Sequence, residues 1–508
     1  MKRKIILAII LIFVSPNIIY ASAGTMSFFG GISEGLRMPT ITNRLLNPAL
    51  NGRRNIAGTY AYSEMVFLSG NPSEFIGQLT VAQSGGITDT TNMGTFVLTN
   101  IIAPNANTVE GTSIERNIAF SVSWRRENNQ IIKNYSVNNW AETITVSGST
   151  FTLQPAQSYF IISIIEDHNP GIVFYRGNIS KRAVYTTGTG DEATLVTVEA
   201  TGHIYGFDSP FSSTETQSLD VWVMADNWQM SYQVRPTVSV TTSLLYQQTT
   251  PTAISFAGNY SHIMTNNSMA SYDIFVVPGP YHYIPTSGSI NIATHNTFEQ
   301  LPASDMSTLQ GHFAQQDISR LFAQQILTGP VTHFRPNQAM TRGEFIVALV
   351  RALRIELGEV RPNNVFNRTT RIVFPDVESS RPEYVYILGA YRAGLAYGRA
   401  DGNFHLDSPI TREEVIATLI RALGLSSVVP NPMPVTAFND SMQISTWATR
   451  EISAALELGL IAGDSNGNLR PRDIITKAEA SALINRFIDY MREDLVFDYS
   501  ERMINFVW

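Results

Sequence analysis

Three copies of one short motif decide how the second half of the chain folds. They are "MTRGE" (Met340–Glu344), "ITREE" (Ile410–Glu414) and "ITKAE" (Ile475–Glu479), and each stands before a run rich in apolar residues. Thr followed three residues later by Glu is a capping box, in which each side chain accepts a hydrogen bond from the other residue's backbone amide. The motif therefore predicts three helix starts. The predicted cap residues are Thr341 and Glu344, Thr411 and Glu414, and Thr476 and Glu479.

The three motifs belong to a longer repeat. Thr341, Thr411 and Thr476 are 70 and 65 positions apart, and an earlier helix with one apolar face precedes each of them. A glycine turn and a loop join the two helices of every copy. We therefore predict an all-α region made of three similar units. The turn glycines are Gly329, Gly398 and Gly463.

Each predicted helix carries a basic residue directly after its cap Thr, namely Arg342, Arg412 or Lys477. The helix dipole disfavours a cation in the first turn by about 0.3–1 kcal/mol, so this residue calls for an explanation. Free amides at a helix start, together with a guanidinium, would bind an anion, and Arg also matches a carboxylate with two parallel hydrogen bonds. The alternative is a solvated surface residue or a partner for a neighbouring acid.

This region resembles three S-layer homology domains in tandem. The resemblance rests on the "FPD" and "FND" openings, the three glycines, the "FRP" and "LRP" turns and the Thr-basic-x-Glu helix starts. It places the units at residues 298–356, 374–426 and 438–491. It implies a pseudo-threefold all-α bundle whose inter-repeat grooves bind secondary cell-wall polysaccharide, which often carries pyruvylated amino sugars.

The resemblance also implies which residues contact the polymer. They are Arg342, Arg412, Lys477, Arg335, Arg470, Gly329, Gly398 and Gly463. The units are not equal. In the second unit, His405 replaces the Arg of the Arg-Pro turn, and in the third unit, Lys477 stands where the other two have Arg and so lacks the guanidinium fork. The loop of the first unit is also one residue shorter, so at least one groove is expected to be weak. We expect Phe313 and Trp447 to pack in the core, with stacking on a sugar ring as the alternative.

The first half has a different pattern. Residues 1–23 combine a basic start, an apolar run and small residues, which predicts a secretory signal peptide. Residues 24–295 alternate polar and apolar positions and are rich in Thr, Val, Ile and Tyr, which predicts an all-β, sandwich-like region. A break at residues 186–192 would divide it into two domains. Residues 492–508 form a predicted C-terminal tail.

Composition excludes several kinds of function. The net charge of -7, with 15% charged residues and no block of like charges, argues against nucleic-acid binding. The chain has no Cys, so its domains depend on ordinary cores. We find no catalytic, cofactor or metal motif: the spacing of "DSNGN" at Asp464 does not fit a calcium loop, and Glu166 and Asp167 in "IIEDHNPG" are predicted to be turn residues.

Two functions are consistent with these predictions. The first is a non-enzymatic display protein at the cell wall or S-layer surface. It is secreted, has no transmembrane segment after signal cleavage, is held by wall polysaccharide, and presents the β-rich half as a structural or adhesive module, with self-assembly as an option. The second is a wall-tethered enzyme that degrades polysaccharide in the β-rich half. Two facing carboxylates in a cleft would favour the enzyme.

Overall fold

A computed structural model describes most of the chain between residues 29 and 499. The described residues are 29–33, 57–85, 91–104, 111–188, 190, 193–247, 259–276, 287–292, 296–355, 357, 374–428 and 437–499. The predicted signal peptide lies outside them. No helix within these ranges is long and apolar enough to cross a membrane.

The first half forms one antiparallel sheet. Its strands are β1 (Ile32–Ser33), β2 (Gly58–Val66), β3 (Ser73–Ser84), β4 (Met93–Pro104), β5 (Thr112–Glu127), β6 (Gln130–Val146), β7 (Ser149–Leu153), β8 (Tyr159–Asn169), β9 (Ile172–Thr187), β10 (Thr194–Asp208), β11 (Ser212–Ala225), β12 (Gln229–Gln247), β13 (Asn259–Val276), β14 (Ser287–Ile292) and β15 (Asn296–Gln300). The region is therefore strand-rich, as predicted, and the sheet continues to Gln300.

Most strands pair with their neighbours in sequence. The short β7 and β8 follow one another along the gap between β6 and β9 and pair with both, while β14 and β15 both pair with β13. β9 and β10 pair from Thr187–Thr194 to Val173–Asp208. The strands on either side of the proposed break at residues 186–192 are thus hydrogen-bonded neighbours, and the sheet is continuous from β9 to β10.

Alternating burial gives the sheet an inner and an outer face. In β5, Ile114, Ile118 and Val122 are buried, and so are the alternate positions Arg116 and Phe120, whereas the odd-numbered residues between them lie on the outer face. The hydroxyl of Ser268 in β13 donates to the carbonyl of Ser33 in β1 (2.7 Å), although these strands are far apart in the sheet order. The sheet therefore curls around an apolar core that its own inner face provides.

The inner face also holds buried charges. The Arg116 guanidinium donates to Glu64 (2.7 Å) and Glu142 (2.6 Å), and it lies 3.7 Å from the ring centre of Phe29. Lys181 points at the same ring, 4.9 Å from its centre. Two cations and two carboxylates thus balance one another inside the sheet, which is the usual condition for burying charge.

Helices follow the sheet. They are α1 (Gln315–Ala323), α2 (Arg342–Ala352), α3 (Tyr384–Arg392), α4 (Arg412–Leu423), α5 (Thr449–Glu457), α6 (Lys477–Asp489) and α7 (Leu495–Asp498), with a π-helix (Tyr490–Asp494) between α6 and α7. The helices α2, α4 and α6 begin at the three predicted positions.

A ring of backbone hydrogen bonds joins these three helix starts. The amide of Met340 donates to the carbonyl of Ile475 (2.9 Å), Ile475 donates to Ile410 (3.1 Å), and Ile410 donates to Met340 (3.0 Å). Each residue is the first of its motif copy and both donates and accepts once. The ring gives the helix starts a threefold arrangement about one centre.

The end of the chain packs against the sheet. The ring of Tyr499 stacks on Phe174 with 5.7 Å between centroids, and the edge of Phe207 meets it at 5.3 Å. The hydroxyl of Ser212 donates to the carbonyl of Met491 (2.5 Å). Met491 and the described part of the predicted tail, residues 492–499, therefore pack against the sheet.

Candidate functional site

All three capping boxes are present. The hydroxyl oxygens of the cap threonines accept from the amides of Glu344, Glu414 and Glu479 at 3.2, 3.4 and 3.2 Å. The Glu side chains accept in return from the amides of the cap threonines at 3.1, 3.0 and 2.9 Å. Each glutamate keeps its other carboxylate oxygen free for a second contact.

The next amides of each helix start are occupied, which corrects the expectation of free amides. The amide of Arg342 donates to the carbonyl of Ser408, and that of Gly343 donates to Leu406, both at 2.9 Å. Equivalent bonds run from Arg412 to Asp473, Glu413 to Pro471, Lys477 to Gln338 and Ala478 to Pro336. A neighbouring repeat fills these positions because the three units close a ring. Any anion must therefore be bound by side chains.

The basic side chain of each helix start pairs with the cap glutamate of the next repeat. Arg342 contacts Glu414 (2.9 Å), Arg412 contacts Glu479 (2.5 Å), and Lys477 contacts Glu344 (2.5 Å). The pairs run from the first unit to the second, to the third and back to the first. All three basic residues thus pair with a neighbouring acid, which was the alternative to anion binding in the sequence analysis. Each of them links two repeats.

Burial and ion pairing shift the pKa values of these side chains in opposite directions. Burial lowers the pKa of Arg342, and the pull of Glu414 in the other direction does not fully cancel it. For Glu479, burial raises the pKa, but hydrogen bonds from Thr476 and the charge of Arg412 outweigh it, so its pKa lies below the usual range. The Arg342 guanidinium and the Glu479 carboxylate therefore both remain charged near neutral pH.

The junction of the first and second repeats has a second guanidinium on its glutamate. Glu414 Oε1 accepts from Arg342 Nη1 (2.9 Å) and also from Arg399 Nη2 (3.2 Å). Arg342 is further fixed by a bond from its Nε to the carbonyl of Phe404 (3.0 Å) and by lying 5.0 Å from the centre of that ring. Arg342 is therefore held in place by Glu414 and by both the carbonyl and the ring of Phe404.

A groove of about 170 Å³ opens beside this cluster. Its lining includes Arg342, Tyr397, Gly398, Arg399, Phe404, Glu414, Arg421 and Trp447. Arg421 is paired with Glu451 (2.9 Å) and lies 5.5 Å from the ring centre of Trp447. The lining residues include three guanidinium groups and one carboxylate, and Glu451 pairs with Arg421 from outside the lining, so one positive charge is in excess.

Two of the lining residues have exposed aromatic rings. Trp447 is 48% exposed and Tyr397 is 57% exposed, and both belong to the lining. Phe313, which we expected to be buried with Trp447, is 73% exposed. The expectation of core packing was therefore wrong for both residues, because the positions that pack the helices are taken by smaller aliphatic side chains such as Ala314 and Ala448.

The predicted glycines serve two different purposes. A Cβ on Gly398 would lie 3.0 Å from the Phe374 ring and 3.3 Å from the carbonyl of Asn403, and a Cβ on Gly463 would lie 3.1 Å from Gly467. Gly329 instead has φ +92° and no atom within 4 Å of an added Cβ. Close approach requires glycine in the second and third repeats, and backbone conformation requires it in the first.

The arginines of the Arg-Pro turns lie away from the groove lining. Arg335 Nη1 donates to the carbonyl of Thr332 (2.8 Å), and Arg470 lies 3.5 Å from Asp464. Arg470 adopts φ +54°, and His405 in the corresponding place adopts φ +59°. The structure thus places only Arg342 and Gly398, of the eight predicted polymer-binding residues, in this groove.

Sequence reasoning missed Arg399 and Arg421. Arg399 directly follows Gly398, whereas Pro330 and Asp464 follow the corresponding glycines of the other repeats. That comparison was available in the sequence and shows that only the second repeat has a basic residue directly after this glycine. Arg421 gave no such signal, because only folding brings the end of α4 to the groove.

The structure also corrects the interpretation of Glu166 and Asp167 as turn residues. Both lie in β8, and Glu166 is fully buried on the inner face. Its carboxylate pairs with Lys133 (2.5 Å) and lies 2.9 Å from His168 Nε2. Burial raises the pKa of Glu166, but Lys133 and His168 outweigh it and lower the pKa to about 2. Glu166 is a charged, enclosed member of the core.

Comparison with known proteins bears on the helical region. The sequence profile of the S-layer homology domain matches residues 304–346, 373–416 and 437–481. The chain thus carries three tandem S-layer homology domains, as the resemblance predicted. Each match ends inside the helix that follows its cap motif.

Several named proteins are similar over part of their length. An amylopullulanase of Thermoanaerobacterium thermosulfurigenes is 32% identical over 207 residues, 39% of this chain and 10% of that protein. An endoglucanase of Bacillus sp. (strain KSM-635) is 28% identical over 209 residues, 41% of this chain and 20% of that protein. A cell surface protein of Thermoanaerobacter kivui is 29% identical over 127 residues, 25% of this chain and 16% of that protein.

The shared part is thus a small fraction of these relatives, since the chain spans 10–20% of their length. The three domain matches, together with S-layer and cell-surface proteins among the relatives, indicate a location at the cell-wall surface.

Proposed function

We propose that the three repeats act together as one all-α anchor that binds an acidic wall polysaccharide. The groove between the first and second repeats is the main binding site, and Arg342, Arg399 and Arg421 attract the acidic groups. Trp447 and Tyr397 offer exposed aromatic faces to the sugar rings. The β-rich sheet is the displayed module, and the protein is secreted to the wall surface.

The observation that carries this proposal is the composition of the groove. Three guanidinium groups and one carboxylate line it, and two half-exposed aromatic rings border it. Convergent polar groups in a concave site with apolar walls are typical of ligand binding. Arginine matches a carboxylate in geometry as well as charge, so a polymer bearing carboxylates, such as pyruvate ketals, is the best fit.

The test is sedimentation of the purified chain with bacterial wall sacculi. Arg342→Ala should weaken binding by roughly 10- to 100-fold, because the loss of a charge-assisted hydrogen bond costs about 1.5–3 kcal/mol. Arg335→Ala is the matched control, since this arginine lies in the same repeat but outside the groove lining. Arg399→Ala, which removes a half-exposed lining side chain, guards against a folding defect in the first variant.

Mild acid treatment of the sacculi, which removes pyruvate ketals, should lower binding as Arg342→Ala does. Unchanged sedimentation of both Arg342→Ala and Arg399→Ala would overturn the groove as the binding site.

The enzymatic alternative finds less support in the sheet. The fully buried Glu166 and the buried Glu64 and Glu142 are all paired with cations on the inner face. Carboxylates in a glycosidase must reach the substrate from opposite sides of its glycosidic bond. The names of the amylopullulanase and endoglucanase motivate a direct test, which is release of reducing ends from wall polysaccharide by the purified chain. We expect none.

A further inference from the structure

Glu414 has two separate sets of contacts, one on each carboxylate oxygen. Oε2 accepts from the amide of Thr411 (3.0 Å) and completes the helix cap. Oε1 accepts from Arg342 (2.9 Å) and Arg399 (3.2 Å). At the other two junctions, Glu479 Oε1 has Arg412 at 2.5 Å and a second guanidinium, Arg470, at 3.9 Å, and Glu344 Oε1 has Lys477 at 2.5 Å. Among the described residues of the three junctions, the second guanidinium is thus within hydrogen-bond distance only at Glu414.

The cap itself does not need a negative charge. A capping box forms with Glu or Gln at its fourth position, because the side chain only has to accept a hydrogen bond from the Thr amide. The charge of Glu414 therefore acts on the two guanidinium groups. Among the described residues, it is also the only carboxylate that lines the groove, where a negative charge opposes the entry of another one.

We propose that the Glu414 carboxylate is an internal stand-in for the acidic group of the ligand and that it sets the affinity of the groove. An incoming carboxylate must share Arg342 and Arg399 with Glu414 or displace its Oε1 from them. The groove then selects for a ligand that brings strong acidic groups and further sugar contacts. This inference rests on the proposed function and names the residue that tunes it.

The test compares the wild-type chain with Glu414→Gln by calorimetric titration. The probe is the methyl glycoside of an amino sugar with a 4,6-linked pyruvate ketal, and its methyl ester is the uncharged counterpart. Glu414→Gln should bind the acid about tenfold more tightly, because one repulsive charge is removed while the cap is retained. The ester should bind both proteins equally.

Glu344→Gln is the matched control, since it changes the same cap position at the junction that has no Arg399. It should leave the affinity for the acid unchanged. Equal or weaker binding of the acid by Glu414→Gln, with an unchanged melting temperature, would overturn the stand-in role and leave the anchor proposal intact. A gain that appears equally for the ester would also overturn it. If the wild type fails to sediment with sacculi, both proposals fall.

Discussion

The buried pair of Glu166 and Lys133 makes the stability of the sheet dependent on acid pH. Both side chains are fully buried and their charged atoms are 2.5 Å apart. A folded-state pKa of about 2, against an ordinary 4.5, corresponds to about 3 kcal/mol of unfolding free energy. Because this pKa is lowered in the folded state, the stabilisation is complete above pH 4.5 and is lost as the pH falls toward 2.

The substitution Glu166→Gln isolates the contribution of the Glu166 charge to the unfolding free energy. At pH 7 the variant should be less stable by about 3–5 kcal/mol, since it removes the carboxylate that pairs with the buried Lys133. At pH 3 the wild type has lost about two thirds of the Glu166 contribution, so the difference between the two proteins should shrink by about 2 kcal/mol. The corresponding difference in melting temperature should narrow by about 4–8 °C.

The assay is thermal unfolding followed by the β-sheet signal in circular dichroism at pH 7, 5 and 3. Glu199→Gln is the control, because Glu199 pairs with Arg182 at 3.6 Å on the outer face and both are nearly half exposed. Its effect should stay below about 1 kcal/mol at every pH. The double variant Lys133→Met and Glu166→Leu should recover stability at pH 7. A difference between wild type and Glu166→Gln that is constant from pH 7 to pH 3 would refute the reasoning.

Two further predictions concern the anchor. Tyr499→Ala should lower the unfolding free energy by about 3–5 kcal/mol, because the buried ring packs on Phe174. The control Phe497→Ala, at a side chain that is 69% exposed, should change this free energy by less than about 0.5 kcal/mol. Scanning calorimetry measures both. Lys477→Ala should weaken sedimentation with sacculi less than Arg342→Ala does, because an ammonium lacks the guanidinium fork and Lys477 is outside the groove lining. Equal losses of binding for the two variants would contradict this ranking.

The sheet and the anchor share a packed junction. Phe211, between β10 and β11, lies 5.1 Å from the guanidinium of Arg492, directly after the third repeat, and 5.9 Å from that of Arg354 at the end of the first. Met491, the last residue of the third repeat, accepts from Ser212. Gly171 donates to the carbonyl of Ala422 (2.7 Å) at the end of the second. All three repeats therefore contact the sheet, so binding at the groove fixes the orientation in which the sheet is displayed.

The sequence by itself determined the features that depend on neighbours along the chain. The capping boxes require only a Thr and a Glu three residues apart, so Thr411 and Glu414 could be assigned without any tertiary contact. Alternating burial in the strands follows from the period of two, and three copies of one motif at similar spacing identified the repeat. The strand-rich first half and the helix starts were predictable for this reason.

Only the tertiary structure decided which residues meet across the chain. Arg342 and Glu414 are 72 positions apart and pair because three repeats close a ring, which also removes the free amides that Arg342 was expected to supplement. Glu166 and Lys133 are 33 positions apart and share the inner face through the register of β6 and β8. Such pairings depend on register and packing between distant segments, and a shift of one residue would turn a buried charge outward. No local pattern contains that information.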